Sequence, residues 1–263
     1  MKLVLIMTAL AAGFVASSAA QATTHNGVTN ADLTQIQGGG TVTESSALEF
    51  DKTGGKGIVL QGWTNLGYNF VYTPGTADDP NASQVLGQYG RTYMWGPNSG
   101  SENGFTGVGP TGGNILGLDG AFEVGAASTT ITGMTVGDSY TLSFDYAGIQ
   151  QHGFDGATTE TVKVTIGGTT YPKEPVLDDA THGFTGWNHE TISFTATAAS
   201  EALSFLAIGT PNGLPPFTLV SGISVPVPDA VPEPATWTIM LLGVGMVGGL
   251  ARRRRAMALA LTA

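Results

Sequence analysis

Apolar and polar residues alternate along the middle of the chain, and this period of two constrains the fold more than any other feature. The clearest run is residues 139–146. Its four inward positions are Tyr140, Leu142, Phe144 and Tyr146. Since successive side chains of a strand point to opposite faces, the run predicts a half-buried β-strand. The same pattern recurs in residues 161–166, 190–196, 202–208 and 219–225.

Turn-forming residues separate these runs. Gly, Asp, Asn and Pro cluster at residues 136–138, 167–168, 178–179 and 211–213. Such residues favour tight turns because they tolerate or fix unusual backbone angles. No stretch ahead of the C-terminus shows an amphipathic helical period of useful length. The sequence therefore predicts an all-β fold over residues 47–227, an antiparallel β-sandwich or jelly roll.

The charge of the chain excludes several partners. Residues 23–231 contain five basic side chains and nineteen acidic ones, a net charge of −14. Nucleic acids and anionic lipids need basic patches, so we expect no nucleic-acid partner. The chain has no cysteine, so disulfides do not stabilise it and a packed core must.

The first 22 residues have the features of an export signal. One positive charge precedes an apolar stretch at residues 3–16, which suits a signal peptide. Ala20-Gln21-Ala22 places cleavage before Thr23, and Ser18-Ala19-Ala20 is an alternative. A short membrane anchor is the competing interpretation, but the run is too short to span a bilayer comfortably. We expect signal peptidase and the secretion machinery to act on this segment.

The C-terminal segment joins a proline motif, an apolar run and a basic cluster. The motif residues are Pro232, Glu233, Pro234 and Trp237. Residues 235–251 carry no charge, and this length is at the short limit for crossing about 30 Å of hydrocarbon. The basic residues are Arg252, Arg253, Arg254 and Arg255. They would stay on the cytoplasmic side by the positive-inside rule, and a generic tail anchor is the alternative.

This tail resembles the PEP-CTERM sorting domain of Gram-negative bacteria, in the variant with a tryptophan three residues after the second proline. The chain departs from the variant at Thr238, where alanine is usual, and in the eight residues after Arg255. The resemblance implies processing by an exosortase, a multi-pass membrane enzyme that recognises Pro-Glu-Pro and removes the helix. It also implies a transient stay in the inner membrane. The final location would be the cell surface, the outer membrane or an exopolysaccharide matrix.

The central region, in residues 130–146 and 203–225, is similar to the galactose-binding-like sandwiches often found ahead of this tail. The predicted organisation has six segments. They are a signal peptide (1–22), a polar segment (23–46), the sandwich (47–227), a linker with the motif (228–234), a transmembrane helix (235–251) and a basic tail (252–263).

Residues 74–117 are long, polar and glycine-rich, and they predict either a binding region or unstructured spacers. Trp95 lies there with Tyr93 nearby, and Trp187 follows a glycine further along. Flat aromatic faces beside amides and carboxylates suit carbohydrate. The alternative is that Trp187, like Trp63, closes an end of the sandwich.

A second polar cluster follows the clearest strand. Its members are Asp145, Gln150, Gln151, His152 and Asp155. Such groups suit a sugar or, through the two carboxylates, a calcium ion, but the spacing matches no known calcium loop. A solvated turn is the alternative. The four histidines lack zinc-like spacing, so we predict no metal site and no cofactor.

No catalytic motif stands out. The chain has no nucleophile elbow, no His-Glu-x-x-His and no phosphate-binding loop. We predict a non-enzymatic surface or matrix protein that binds polysaccharide. One alternative is a polysaccharide hydrolase, for which Asp145 and Asp155 are the first carboxylate pair to test. The other is a structural or adhesive protein that associates through its sheet edges.

Overall fold

The computed structural model describes residues 23–48, 57–87, 89–171, 175–229 and 243–245. The predicted signal peptide, the Pro-Glu-Pro motif with Trp237, and the arginine cluster all lie outside these ranges. Of the predicted apolar helix, residues 243–245 are described, and their backbone is helical. Within the described part of the chain, no helix is both long and apolar enough to cross a bilayer.

Among the described residues from 24 to 228, the regular structure consists of fifteen strands and one 3-10 helix. The strands are β1 Thr24–Asn26, β2 Ser45–Ala47, β3 Thr64–Asn65, β4 Asn69–Tyr72, β5 Gln84–Val85, β6 Ile115–Asp119, β7 Ala127–Thr132, β8 Ser139–Gln150, β9 Thr158–Ile166, β10 Thr169–Thr170, β11 Leu177–Asp179, β12 Asn188–Thr195, β13 Ser200–Thr210, β14 Pro216–Ser224 and β15 Pro226–Pro228. The 3-10 helix covers Pro97–Ser99.

The strands form two large sheets and one small one. The first sheet has seven strands in the order β12-β8-β14-β6-β4-β2-β5. The second has the order β10-β9-β13-β7-β3, and β11 adds a sixth strand beside β9. β1 and β15 pair with each other. The β2–β5 pair is parallel, and the long strand pairs are antiparallel.

The main core lies between the two large sheets. The four inward positions of the 139–146 run are all buried in it, as the alternation predicts. Phe144 of β8 meets Phe205 of β13 across the gap, with ring centroids 5.3 Å apart and the rings edge to face. Burying one such side chain contributes about 1.5–3 kcal/mol. The predicted all-β sandwich is therefore confirmed.

The seven-stranded sheet also carries a second apolar cluster on its outer face. Phe70, Tyr72 and Phe217 of the sheet are fully buried there. Ala77, Met94 and Phe105 from the glycine-rich region pack on them. These three contacts hold parts of the glycine-rich region against the sheet, so the spacer interpretation does not describe those parts.

The turn predicted at residues 178–179 is wrong. These residues belong to β11, which pairs antiparallel with residues 158–160 of β9. Leu177 packs on the main core and Asp179 is buried, so tertiary contacts override the turn preference of the two aspartates. The compact unit spans Thr24–Pro228 and so includes most of the polar segment that precedes the predicted sandwich.

Candidate functional site

Trp95 lies at the centre of a stack of rings. Its ring centroid is 3.8 Å from that of His182, with nearly parallel planes, and 4.1 Å from that of His152. Tyr93 stacks on His152 at 4.5 Å. The indole Nε1 donates a hydrogen bond of 3.0 Å to the carbonyl of Phe154. The structure thus brings the predicted residues Tyr93, Trp95 and His152 together, with His182 as a fourth member; we call these four the Trp95 cluster.

His182 is held in place by several hydrogen bonds. Its Nε2 lies 2.5 Å from Oδ1 of Asp155, and its backbone N–H donates to Oε1 of Gln150 at 3.0 Å. The side chains of Ser101 and Asn103 donate to its carbonyl at 2.7 and 3.0 Å. Its φ of 58° is in the left-handed region, which side chains other than glycine seldom adopt. These contacts link the predicted Gln150 and Asp155 to the Trp95 cluster.

The surroundings of His152 in the Trp95 cluster favour its neutral form. Burial lowers the pKa of His152, and nearby His182 lowers this pKa further, while a bond to the backbone of Ser99 opposes both. A sugar binds an aromatic ring by packing its C–H face on the ring plane. Two imidazole rings already occupy space within about 4 Å of the half-buried Trp95 ring. The indole therefore serves first to hold three loops together.

Asp145 belongs to a separate group. It is 8% exposed, and its Oδ1 lies 2.8 Å from Nδ1 of His189, its neighbour on β12. Asp145 and Gln150 are five positions apart on β8, a path of about 16 Å. Asp145 and Asp155 thus contact different histidines, so the structure does not join them as one carboxylate pair.

Trp187 also lies apart from the Trp95 cluster. It is half-buried and packs edge to face on Phe184, with centroids 6.1 Å apart. Both residues lie against the second apolar cluster. This position agrees with a closing role at the edge of the sandwich.

A pocket of about 230 Å³ lies beside the segment that holds Phe154. Two of its rings are exposed, Tyr89 at 59% and Phe122 at 39%. Their centroids lie 5.3 Å apart with the planes at 75°. Tyr68 packs edge to face on both. The predicted residue Gln151 lines the same pocket and offers an amide.

A buried carboxylate forms the floor of this pocket. Asp119, at the end of β6, is 1% exposed, and its Oδ1 accepts hydrogen bonds from the backbone N–H groups of Ala121 and Phe122. Burial raises the pKa of Asp119 to about 6, against the lowering effect of those bonds. Its Oδ2 has no hydrogen-bond partner among the described residues. On the rim, the Tyr89 hydroxyl donates to Glu123 at 3.0 Å.

Two larger grooves, of about 440 and 580 Å³, have a different character. Their described linings consist mainly of short polar side chains, prolines and glycines, and Tyr140, the one ring among them, is buried. In the described ranges, no three His, Asp or Glu side chains are grouped to hold a metal ion. The aromatic pocket is therefore the best candidate site.

Sequence reasoning missed Tyr89, Phe122, Asp119 and His182 as site residues. Residues 115–119 form a strand without clear alternation, because both faces of this strand are buried. Asp119 ends that strand and an aromatic residue follows three positions later, which is the local signal that was available. The contact of His182 with Trp95 joins positions 87 residues apart, and no local pattern marks it.

Comparison with known families identifies the C-terminal motif. Residues 230–255 match the family model for the PEP-CTERM protein-sorting motif. The chain carries a PEP-CTERM sorting signal. Such a signal marks an exported protein that is directed to the cell envelope or surface. The match does not extend into the sandwich, and a comparison with curated proteins returned no match.

Several solved structures resemble this chain weakly. A sugar-binding protein, the EclA C-terminal domain, is 17% identical over 37% of this chain and 64% of its own length, with a TM-score of 0.29. A family 35 carbohydrate-binding module from Clostridium thermocellum is 18% identical over 50% and 99%, with a TM-score of 0.26. The K3 adhesin domain of Lys-gingipain from Porphyromonas gingivalis is 12% identical over 70% and 99%, with a TM-score of 0.32. With scores this low, none of these likenesses identifies a ligand or a site.

Proposed function

We propose that this chain is a non-enzymatic protein of the cell surface or extracellular matrix that binds polysaccharide. Its sorting signal accounts for export. Processing by signal peptidase and an exosortase-type membrane enzyme then delivers residues 23 onward. The observation that carries the binding proposal is the pair of exposed rings, Tyr89 and Phe122, in a pocket with polar groups beside them.

The chemistry of the pocket suits a sugar residue. Exposed rings offer flat apolar faces for sugar C–H groups, while Gln151 and Glu123 offer donors and acceptors for hydroxyls. The pocket is smaller than the roughly 300–1,000 Å³ typical of drug-sized ligands, so it fits one sugar unit of a longer chain. The acidic surface favours a neutral or metal-bridged polysaccharide over a polyanion.

The Trp95 cluster holds in place a segment that lines this pocket. Trp95 holds the carbonyl of Phe154, and Phe154 and Gln151 line the pocket. Tyr93, Gln150, His152 and Asp155 fix the same loops. We assign ligand contact to Tyr89, Phe122 and Gln151, and a positioning role to the Trp95 cluster.

The test measures binding of the purified full chain to a glycan array and to whole exopolysaccharide. Phe122→Ala and Tyr89→Ala should each weaken binding at least about tenfold, since stacking rings dominate such contacts. The control Val136→Ala removes an exposed apolar group outside the pocket and should bind as the wild type does. Equal binding by all four proteins would exclude this pocket. Absence of binding by the wild type would exclude the proposal and leave the structural role.

A further inference from the structure

A buried pair of carboxylates faces the space between the two large sheets. Glu160 of β9 is 0% exposed and Asp179 of β11 is 3% exposed. Asp179 pairs with Thr158, which shares a strand face with Glu160, so the two carboxyl groups are diagonal neighbours on one side of the sheet. That side is the core side, because Leu177 and Val162 on the same faces belong to the main core.

The facing sheet contributes a third oxygen. Oε2 of Glu160 fills the space in front of Gly148 on β8, within 2.5 Å of where a Cβ would stand. Thr218 of β14 pairs with Gly148, and its side chain is fully buried on the same inner face. Glu160 and Thr218 therefore both lie beside Gly148 on the inner face, and Asp179 is the diagonal neighbour of Glu160.

Each of the three residues has an oxygen without a described partner. Oε2 of Glu160, Oδ2 of Asp179 and Oγ1 of Thr218 are buried and make no hydrogen bond to any described residue. No described basic side chain forms an ion pair with either carboxylate. Oε1 of Glu160 accepts a hydrogen bond from the Thr158 hydroxyl. Because this hydroxyl is neutral, it does not compensate the negative charge of an ionised Glu160. Burying such charges without a counter-ion is costly.

We propose that these three oxygens bind one calcium ion that ties the two sheets together. Calcium prefers carboxylate and other oxygen ligands in flexible geometry, and water can complete its six to eight positions. The ion would replace the missing basic partner and satisfy all three oxygens at once. Extracellular protein modules bind calcium with dissociation constants of about 10⁻⁴–10⁻³ M, and we expect an affinity in this range for an exported protein.

The alternative is that the carboxyl groups stay protonated. Burial raises the pKa of Glu160 to about 8, with smaller raising effects from Asp179 and Asp178. Burial also raises the pKa of Asp179 to about 7. At neutral pH the pair would then hold protons, which calcium would displace.

The test compares calcium content and melting temperature of the purified full chain at pH 7.5, after dialysis against millimolar calcium or against a chelator. With millimolar calcium present, the wild type should bind one ion and melt roughly 2–5 °C higher than in chelator. Glu160→Gln and Asp179→Asn should bind calcium at least about tenfold more weakly and lose that shift. Asp178→Asn is the matched control, since Asp178 is the exposed neighbour on the same strand.

Two results would overturn the proposal. The first is that the wild type melts at the same temperature with calcium and with chelator, and that Glu160→Gln is more stable than the wild type. This result would mean that the two carboxyl groups are protonated and bind no calcium. The other is calcium retention that Asp178→Asn weakens as much as Glu160→Gln does, which would identify diffuse binding to an acidic surface. Neither result bears on the sugar pocket, whose assay is separate.

Discussion

At the scale of single residues, the same aromatic type has different roles according to what covers its ring. Trp95 shares its faces with two imidazoles and donates its N–H to a backbone carbonyl. Phe122 and Tyr89 leave much of their surface in solvent. Sequence alone ranks Trp95 first, because tryptophan is the best stacking residue. Only the contacts show which rings remain available.

Trp95→Ala should therefore destabilise the fold rather than remove a ligand contact alone. The change deletes two ring contacts and one hydrogen bond, so we expect a loss of about 1–3 kcal/mol in the free energy of unfolding. Urea denaturation measures this loss. Trp95→Phe is the control, which keeps ring packing and should lose about 1 kcal/mol. An unchanged midpoint for Trp95→Ala would mean that the indole is free for ligand after all.

At the scale of elements, periodicity predicts the central strands and misses the ones buried on both sides. Strands β8, β9, β12, β13 and β14 lie where the alternation predicts them, each with small shifts at its ends. β4 and β6 do not alternate, because parts of the glycine-rich region lie against their outer face. Of the predicted site residues, Gln151 lines the candidate pocket, while Tyr93, Gln150, His152 and Asp155 belong to or contact the Trp95 cluster. The remaining site residues, Tyr89, Phe122, Asp119 and His182, come together through contacts between distant parts of the chain. No local sequence pattern encodes such contacts.

The carboxyls on β6, β9 and β11 predict a pH dependence in the presence of chelator. Their folded pKa values of about 6, 8 and 7 for Asp119, Glu160 and Asp179 exceed the values of an unfolded chain. Between about pH 4 and 8 the folded state therefore binds more protons than the unfolded state, and stability falls as pH rises. We expect the melting temperature to drop by roughly 5–10 °C from pH 5.5 to 8.

A calorimetric series across this range checks that expectation. Glu160→Gln should flatten the slope, because the amide does not titrate, while Asp178→Asn should leave it unchanged. A melting temperature that rises with pH in chelator would show that these carboxyls are ionised in the folded protein.

At the scale of the whole molecule, the sandwich and the sorting segment do separate tasks. The family match covers residues 230–255, and the compact unit ends at Pro228. The candidate pocket and the acid pair both lie within that unit. Delivery and recognition can therefore be altered independently.

Replacing Pro232, Glu233 and Pro234 together with alanine should block processing without unfolding the sandwich. We expect the unprocessed protein to accumulate in the inner-membrane fraction, detected by immunoblotting with an antibody against the sandwich. Thr238→Ala is the control, because it restores the residue usual in the resembling variant and should be processed normally. Normal processing of the triple variant would show that the motif is not the recognised element.

The pairing of β1 with β15 determines how this protein would respond to mechanical pulling. A force applied to the chain after Pro228 reaches β15 first. Among the described strands, β15 forms its ladder hydrogen bonds with β1, which has three residues. That pair lies outside both large sheets, and Val227 of β15 is buried in the main core, so we expect the pair to open before the long strand pairs of the large sheets do. The β1–β15 pair would then be the first part of the sandwich to open when a pulling force acts on the C-terminal segment.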